Sequence, residues 1–370
     1  MAEAGTVTEV PVTFVSSHAQ LGGSEVYLMR LLDELGPEWI RGVICLQDGP
    51  LVERLRAAGR PAHVIEVGTS PPALVEGGFR LRAHLKRAPA VLLHANGIKA
   101  GVVCAIAAGR FVWAKHDFSW DGWLARAVAK RACMVVAASR AVAAAVEGVA
   151  QVEIVPPGIS EPVVDRGEAG KRLRAELGLD PSAPVVVQIG RIHPAKGQLE
   201  LVRAAEMVHS RRPDTAFVIV GETDPSALQY ATLVGAEIAE RGLEDRFHLL
   251  GHRDDPFAVL AGSDVCAIPT TRDERGMGEE GFGLVATEAM AVGTPVVAYA
   301  SGALPEVLAD CGICVASDDP SALAGGIERV LGDDDLARHL GTCGRDRARS
   351  HFSAAAMADG MRTVYERCTA

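Results

Sequence analysis

Short β-branched runs alternate regularly with longer helix-like stretches along this sequence. Such alternation is typical of β-α-β units, which build parallel sheets covered by helices. It occurs in two successive series. The strand-like runs are VPVTFVSS, GVICL, HVIEV, AVLLHA, FVWAK, MVVAA and QVEIV in the first series, and APVVVQIG, AFVIVG, RFHLLG, DVCAIP, PVVAY and GICVA in the second. The pattern predicts an α/β protein with two Rossmann-like domains.

A break in regular structure separates the two series. Pro156, Pro157 and Gly158 interrupt the pattern after the first series, and a polar segment leads into the second. We therefore predict an N-terminal domain over residues 1–160 and a C-terminal domain over residues 161–352. A last helix-like stretch, residues 353–370, lies beyond the final strand and is expected to pack back on the N-terminal domain.

Composition argues against several classes of protein. Apolar residues make up 48% of the 370 residues and charged residues 23%, which is the balance of a globular protein. The net charge is −10, and Lys and Arg are few and interleaved with acids, so nucleic acid is not an expected partner. We find neither a basic leader followed by an apolar run nor an apolar segment of about eighteen residues. We therefore expect a cytoplasmic location and no contact with a membrane.

The eight cysteines are scattered through apolar surroundings, which is typical of buried reduced thiols. Cys311 and Cys314 form a C-x-x-C pair, but it runs into a strand-like CVA instead of opening a helix. No second pair stands at the spacing of a zinc site. The sequence therefore predicts neither a disulfide framework nor a structural metal.

The most informative stretch is EGFGLVATE, from Glu280 to Glu288. Gly281 and Gly283 let the backbone approach a ligand, and a helix starting at about Gly283 would direct N–H groups and a positive dipole end at a phosphate. Glu288 lies just over one turn into that helix, where a carboxylate suits the hydroxyls of a ribose. Glu280 would face a donor sugar. The alternative interpretation is a helix-terminal acid and a surface glutamate.

A second stretch, GRIHPAKG, places Arg191 and Lys196 at a strand-to-helix junction. A guanidinium can bind phosphate oxygens in fork geometry and an ammonium adds a compact charge, so the two can offset the charge of a leaving nucleoside diphosphate without a metal. Two solvated cations are the alternative. That alternative is weakened because cations near a helix start oppose its dipole unless an anion is bound.

Two stretches of the first domain are less specific. Gly22 and Gly23 precede a predicted helix that Ser24 could cap, but a glycine pair can be a simple turn. His116 follows a first-domain strand in WAKHDFSWDGW, which holds three of the four Trp residues. The histidine would point into a cleft, although it could equally be structural, and the Trp side chains could serve only packing.

Together these stretches resemble glycosyltransferase family 4, a large group of retaining enzymes with the GT-B fold, in which two Rossmann-like domains face one another across a cleft. The resemblance covers nearly the whole chain, from GGSE through HANG, KHD, PPGI, GRIHPAKG, GHRDD and EEGFGLVATEAMAVGTPVVA to SGALPE. Its most specific part is the pair of glutamates separated by seven residues.

Carried over by position, the resemblance implies a role for each matching residue. Arg191 and Lys196 match the diphosphate clamp, Glu280 the carboxylate that contacts the donor sugar, and His116 the histidine near that sugar. The implied substrate contacts are Gly22, Gly23 beside a phosphate, Asn96, Arg253 near the nucleotide base, the backbone of Phe282, Gly283 and Leu284, and Glu288 at the ribose.

The activity implied is metal-independent hexosyl transfer, with retention of configuration, from a nucleotide sugar to an acceptor sugar, a small molecule or a lipid-linked glycan. UDP is the first choice of carrier and GDP the second. No cofactor beyond the donor is expected, and a homodimer is compatible with the family. The segment 272–279 lengthens the loop before Glu280, and we expect it to contact donor or acceptor.

Two other functions are compatible with the predicted fold. A nucleotide-sugar epimerase would use the same diphosphate pocket for different chemistry, but the glutamate pair argues against it. A non-enzymatic nucleotide-sugar-binding protein would be expected to lack one of Arg191, Lys196, Glu280 or His116, and all four are present.

Overall fold

The computed structural model describes residues 10–271 and 278–370, which form two compact units. The first unit comprises the described residues up to Ser160 together with Ser353–Ala370, and the second comprises Glu161–Phe352. Residues 1–9, on which the expectation about a leader rests, lie outside the described residues.

The first unit is built on a parallel sheet. Its strands are β1 (Val12–Ser16), β2 (Ile40–Cys45), β3 (Ala62–Val64), β4 (Leu92–Asn96), β5 (Phe111–Lys115), β6 (Met134–Ala137) and β7 (Val152–Ile154). Within the described residues these strands form a seven-stranded sheet in the order β3-β2-β1-β4-β5-β6-β7. Each strand overlaps the run that predicted it, although β2, β3 and β4 extend one or two residues beyond theirs.

Helices cover both faces of this sheet, which explains why its strands are apolar on both sides. They are α1 (Gly23–Glu34), α2 (Pro50–Ala57), α3 (Pro71–Arg87), α4 (Ile98–Ala107), α5 (Trp123–Ala129) and α6 (Arg140–Ala143). Side chains alternate between two cores: Phe14 and Val112 belong to one cluster of buried residues, and their neighbours Val15 and Trp113 belong to the other.

The second unit repeats this architecture without obvious sequence repetition. Its strands are β8 (Val185–Ile189), β9 (Ala216–Val220), β10 (Phe247–Leu249), β11 (Val265–Ile268), β12 (Val296–Tyr299) and β13 (Ile313–Val315). In the part of the unit that the structure describes, they form a parallel sheet in the order β10-β9-β8-β11-β12-β13.

The helices of the second unit follow its strands in β-α-β fashion. They are α7 (Arg166–Glu176), α8 (Gln198–Arg211), α9 (Leu228–Glu240), α10 (Pro256–Gly262), α11 (Leu284–Val292), α12 (Leu304–Leu308), α13 (Pro320–Gly332) and α14 (Asp334–His351). Among the helices described in either unit, none combines the length and the apolar character needed to cross a membrane.

The last helix, α15 (Ala354–Thr369), completes the first unit. Met357 and Tyr365 are buried in the core cluster that contains β1. The Tyr365 hydroxyl lies 2.8 Å from Nδ1 of the buried His94 on β4, and Arg367 forms an ion pair with Glu153 at 2.8 Å. The chain therefore ends by covering the sheet on which it began.

The prediction that all cysteines are reduced is wrong for one pair. Cys311 forms a disulfide with Cys343 on α14, and its C-x-x-C neighbour Cys314 remains an exposed thiol. The two bonded residues are 32 positions apart, and they meet because α14 packs against the short 3-10 helix Ala309–Cys311. Sequence spacing alone gave no signal of this contact.

Replacing Cys343 by serine is expected to lower the free energy of unfolding by about 2–4 kcal/mol, because the disulfide restricts the unfolded chain. Urea unfolding without reductant measures the change, and reductant should destabilise the wild type but not Cys343→Ser. The matched control is Cys314→Ser, which removes an exposed thiol outside the disulfide. Eight reactive thiols in the unreduced, denatured wild type would show that the bond does not form.

Candidate active site

The residues predicted to bind the donor lie on loops that follow neighbouring strands of the second sheet. Arg191 and Lys196 follow β8, and Glu280 follows the adjacent strand β11. Arg253 follows β10, at the edge of the sheet. Because parallel strands all end at the same edge, these loops lie along the edge where such sheets bind ligands.

Lys196 and Glu280 are in direct contact. The Lys196 ammonium donates to Oε1 of Glu280 at 2.5 Å, and the hydroxyl of Thr270 donates to the same oxygen at 2.9 Å. Lys196 is itself held in place, since Gln188 at the end of β8 donates to its backbone carbonyl at 2.6 Å. The structure thus joins two residues that are 84 positions apart in the sequence.

The Glu280 carboxylate is kept ionised by these partners. Burial alone would raise the pKa of Glu280, but the charge of Lys196 and the hydrogen bonds from Lys196 and Thr270 outweigh it, so the pKa lies below its ordinary 4.5. The side chain is only 16% exposed. A buried carboxylate held ionised beside an ammonium can accept hydrogen bonds from the hydroxyls of a ligand.

The backbone of Glu280 is fixed by the turn that follows β12. The carbonyl of Glu280 accepts a hydrogen bond from the amide of Ala303 at 2.8 Å. Gly302 adopts a left-handed conformation, with φ of +54°, and a Cβ at this position would lie 2.2 Å from the same carbonyl oxygen. Only glycine therefore fits at residue 302 without displacing Glu280 or the turn.

Arg191 has a different carboxylate partner. Its guanidinium forms an ion pair with Asp224 at 2.5 Å, on the loop after the neighbouring strand β9. The Arg191 side chain is 72% exposed, so the contact orients an accessible group and contributes little to stability. The structure therefore places the two predicted clamp residues on one sheet edge, each bound to its own carboxylate.

The helix after Glu280 begins where the sequence predicted it. Gly283, with φ of +89°, is the N-cap of α11, and Leu284 is the first helical residue. The first N–H groups of any helix have no partner within the helix, and its dipole is positive at this end, which favours an anion. Phe282 is buried and packs edge-to-face on Phe352 at 5.3 Å, which anchors the loop before the helix.

Glu288 and Arg253 lie further along this region. Burial raises the pKa of the Cys266 thiol on β11 to about 12, and the nearby charge of Glu288 adds to this effect. Glu288 is therefore close to β11, one of the two middle strands of the sheet. The guanidinium of Arg253 is held by ion pairs with Glu176 and, at 2.8 Å, with Asp255. Contact of Glu288 with a ribose and of Arg253 with a base stay predictions.

The predicted residues of the first unit also meet at the ends of neighbouring strands. Oδ1 of Asn96, at the end of β4, lies 2.6 Å from Nε2 of His116, which follows β5. The Asn96 amide donates to the carbonyl of Ser24 in the first turn of α1 at 3.0 Å. The ring of Tyr27 lies 4.6 Å from that of His116. These contacts fix the orientation of the imidazole.

Burial lowers the pKa of His116 to about 4, with Asp117 opposing this effect and Lys115 adding to it. The imidazole is therefore neutral at pH 7, and its second nitrogen can take part in a hydrogen bond. Protonation of this group should affect activity only in the acid range, well below the ordinary histidine pKa of 6.5.

The glycine pair lies at the start of α1, but the predicted cap is wrong. Gly22 is the N-cap residue, and its amide donates to the carboxylate of Glu25 at 3.2 Å. Ser24 instead donates its hydroxyl to that carboxylate at 2.9 Å. Gly23 is the first residue of the helix, and its contact with a phosphate stays a prediction.

Sequence reasoning missed several residues that support these groups. They are Thr270 and Gly302 around Glu280, Asp224 beside Arg191, and Tyr27 beside His116. The SGALPE motif contains Gly302 and could have indicated it. The other three follow from tertiary contacts, for which the sequence carries no spacing signal.

The structure bears only in part on two expectations, the one about metal ions and the one about the segment 272–279. Among the described residues, no group of three or more His, Cys, Asp and Glu side chains could hold a metal ion. Residues 272–277, most of the segment expected to contact donor or acceptor, lie outside the described ranges.

Solved structures define the class of fold. Anabaena HepE, solved with UDP, matches with a TM-score of 0.83 over 96% of this chain and 99% of that one, at 22% identity. Sucrose-phosphate synthase from Thermosynechococcus elongatus matches with a TM-score of 0.76 over 96% of this chain and 98% of that one, at 23% identity. The fold is GT-B, with two parallel-sheet α/β domains, and the predicted fold class is confirmed.

Family models identify the chain more closely. The model described as Glycosyltransferase Family 4 matches residues 21–161, and the model described as Glycosyl transferases group 1 matches residues 170–347. The chain belongs to glycosyltransferase family 4, which confirms the resemblance found in its motifs.

Curated relatives share part of the chain. The D-inositol 3-phosphate glycosyltransferase of Segniliparus rotundus is 36% identical over 222 residues, which are 58% of this chain and 46% of the relative. That of Corynebacterium glutamicum is 33% identical over 224 residues, 58% of this chain and 51% of the relative. The chain thus spans about half the length of the curated relatives it matches.

Proposed function

We propose that this chain is a retaining glycosyltransferase that transfers a hexosyl group from a UDP-sugar to an acceptor hydroxyl without a metal ion. The observation that carries the proposal is the contact of Lys196 and Thr270 with Glu280, three residues before the N-cap of α11. An ammonium and a helix N-terminus suit a diphosphate, and an ionised carboxylate suits the hydroxyls of a sugar. The names of the relatives and the UDP and UDP-glucose complexes of HepE support the same activity.

In the proposed reaction, Lys196 and Arg191 offset the charge that develops on the departing diphosphate. Each cation is already oriented by a carboxylate, Glu280 or Asp224, so little reorganisation is needed when the donor binds. The acceptor oxygen bonds to the anomeric carbon as the bond to the diphosphate oxygen breaks. That departing oxygen takes the acceptor's proton, so no separate base is required.

We assign Glu280 to the donor hydroxyls and not to nucleophilic attack. Its Oε1 atom already accepts two hydrogen bonds, and its lowered pKa makes it a weaker base. Retention then follows from attack on the same face as the leaving group instead of from two displacements. We assign to the imidazole of His116 a hydrogen bond with a sugar hydroxyl. The pKa of about 4 leaves this imidazole uncharged at pH 7.

A nucleotide screen tests the donor assignment. UDP and UDP-glucose are expected to stabilise the protein against thermal unfolding more than GDP does. A ligand at a hundred times its dissociation constant should raise the free energy of unfolding by about 2.7 kcal/mol relative to the protein without ligand. Turnover of UDP-glucose should release UDP, at the same rate in excess EDTA as in magnesium. Proton NMR of the product should show an α linkage when the donor is α-linked.

Each alternative predicts a different outcome. A nucleotide-sugar epimerase would convert the sugar while it stays attached to UDP, and a binding protein would be stabilised by ligand without turnover. Loss of activity in EDTA, restored by magnesium, would contradict metal independence. A β-linked product from an α-linked donor would contradict retention.

A further inference from the structure

The loop that follows β5 exposes two tryptophans. Trp120 is 55% exposed and Trp123, at the start of α5, is 80% exposed, whereas Trp39 and Trp113 are buried. Tryptophan carries a large apolar face, and leaving two of them in water forfeits the burial that usually stabilises this side chain. Two exposed tryptophans only three positions apart are therefore more informative than a single exposed apolar residue.

The loop has a strained and well-anchored backbone. Trp120 adopts a left-handed conformation with φ of +59°, which is rare and strained for a large side chain. The buried Lys115, only 2% exposed, donates to the carbonyl of Asp117 and forms an ion pair with Asp121 at 2.6 Å. One buried ammonium thus ties the loop on both sides of Trp120. Such strain persists where the surroundings hold a side chain in a required position.

The chemistry of the loop identifies the class of ligand. Flat aromatic faces stack on the apolar face of a pyranose ring, and carboxylates accept hydrogen bonds from its hydroxyls. Asp117 and Asp121 stand beside the two Trp residues, and Lys115 is already paired with Asp121. The balance of charge in the loop disfavours a phosphorylated ligand and suits a neutral sugar.

We propose that Trp120 and Trp123 form an aromatic platform that binds a pyranose ring of a saccharide acceptor. The platform follows β5 directly after His116, at the sheet edge where the Asn96–His116 pair lies. This inference rests on the proposed transferase function and names the acceptor class for it. The acceptor is then a neutral glycoside, in contrast to the inositol phosphate in the names of the relatives.

Two variants remove the rings without damage to the core. Trp123→Ala truncates a side chain that is 80% exposed. Trp120→Gly removes a ring and suits the positive φ better than tryptophan does. Trp123→Phe keeps a stacking face, and Phe79→Ala on α3 is a matched control because Phe79 is 59% exposed on another element.

The test uses methyl glucoside, methyl galactoside, methyl mannoside and maltose as probes, with myo-inositol 3-phosphate for comparison. At least one pyranoside is expected to protect wild-type tryptophan fluorescence from acrylamide quenching, and Trp123→Ala and Trp120→Gly should weaken its binding about tenfold or more. In the transferase assay the same variants should raise KM for that pyranoside while the KM for UDP-glucose and its slow hydrolysis stay unchanged. Trp123→Phe should retain most of the binding, and Phe79→Ala all of it.

Several outcomes would overturn the platform. They are protection by the inositol phosphate alone, protection by no probe, or equal binding by wild type and Trp123→Ala. Loss of a dimer or of vesicle binding in Trp123→Ala, with pyranoside binding intact, would assign the rings to another partner. Failure of the proposed function is distinguishable, since it would abolish stabilisation by UDP and hydrolysis of UDP-glucose whatever the pyranosides do.

Discussion

Replacing Lys196 by alanine is expected to lower transferase turnover about a hundredfold or more, the scale of losing one preorganised charge-stabilising group. The ammonium of Lys196 contacts Glu280 at 2.5 Å, so the substitution removes both the cation for the diphosphate and the partner that keeps this carboxylate ionised. Steady-state kinetics with UDP-glucose measure the change, and urea unfolding checks that the variant is folded.

The pH profile gives a second readout of the same substitution. In the wild type the pKa of Glu280 lies below its ordinary 4.5, so the stabilisation from its contacts is present above that pH and is lost as the pH falls through the lowered pKa. In Lys196→Ala, burial is opposed only by the hydrogen bond from Thr270. The acid limb of the activity profile should therefore move to higher pH.

The matched control for this prediction is Lys171→Ala. Lys171 is an exposed lysine that forms an ion pair with Glu168 on α7, so its loss changes the net charge equally without touching the site. It should leave turnover and pH profile unchanged. Lys196→Arg should recover part of the activity because it keeps the charge but not the compact shape. Wild-type turnover in Lys196→Ala would remove the diphosphate assignment.

Replacing Gly302 by alanine is expected to reduce turnover by about a hundredfold, because misplacement of a substrate-positioning group by about 1 Å can cost that much. The new Cβ would lie 2.2 Å from the carbonyl oxygen of Glu280, so the backbone of Glu280 or the turn after β12 must move. The carboxylate then loses its alignment with Lys196. Alanine is also disfavoured at the φ of +54°, so the free energy of unfolding should fall by about 1 kcal/mol or more.

The same substitution at Gly325 is the control. Gly325 lies inside α13, and a Cβ there meets nothing within 4 Å. Gly325→Ala should therefore keep full activity and raise the free energy of unfolding by about 0.5–1 kcal/mol, since alanine is the better helix former. If Gly302→Ala matched the wild type in kinetics and stability, the turn after β12 would not be what fixes Glu280.

Lys196→Ala and Gly302→Ala separate the effect of charge from that of geometry at one carboxylate. Lys196→Ala leaves the backbone of Glu280 in place and removes its cation, whereas Gly302→Ala keeps the cation and displaces the backbone. The first removes the cation altogether, so it should shift the acid limb of the pH profile further than the second, which only misaligns the contact. Their combination should be less than additive, because both act through Glu280.

Local sequence patterns were enough to predict the fold class and the order of the elements along the chain. Runs of β-branched residues predicted the strands because both faces of each parallel sheet are covered, which leaves the strands continuously apolar. Glycine and the apolar pattern after it likewise located the start of α11 at Gly283. These are local signals, carried by residues close together in the chain.

Which side chains are in contact depends on the three-dimensional fold. Lys196 contacts Glu280, 84 residues away in the sequence, and Arg191 contacts Asp224. Both contacts form because parallel strands bring successive loops to one edge of the sheet. They depend on the order of the strands in the sheet and not on any sequence motif. Cys311 bonds to Cys343 and not to Cys314, because the packing of α14 outweighs nearness in sequence. The left-handed conformation of Trp120 was likewise not predictable from the sequence, since contacts of a loop with a buried lysine produce no periodic sequence pattern.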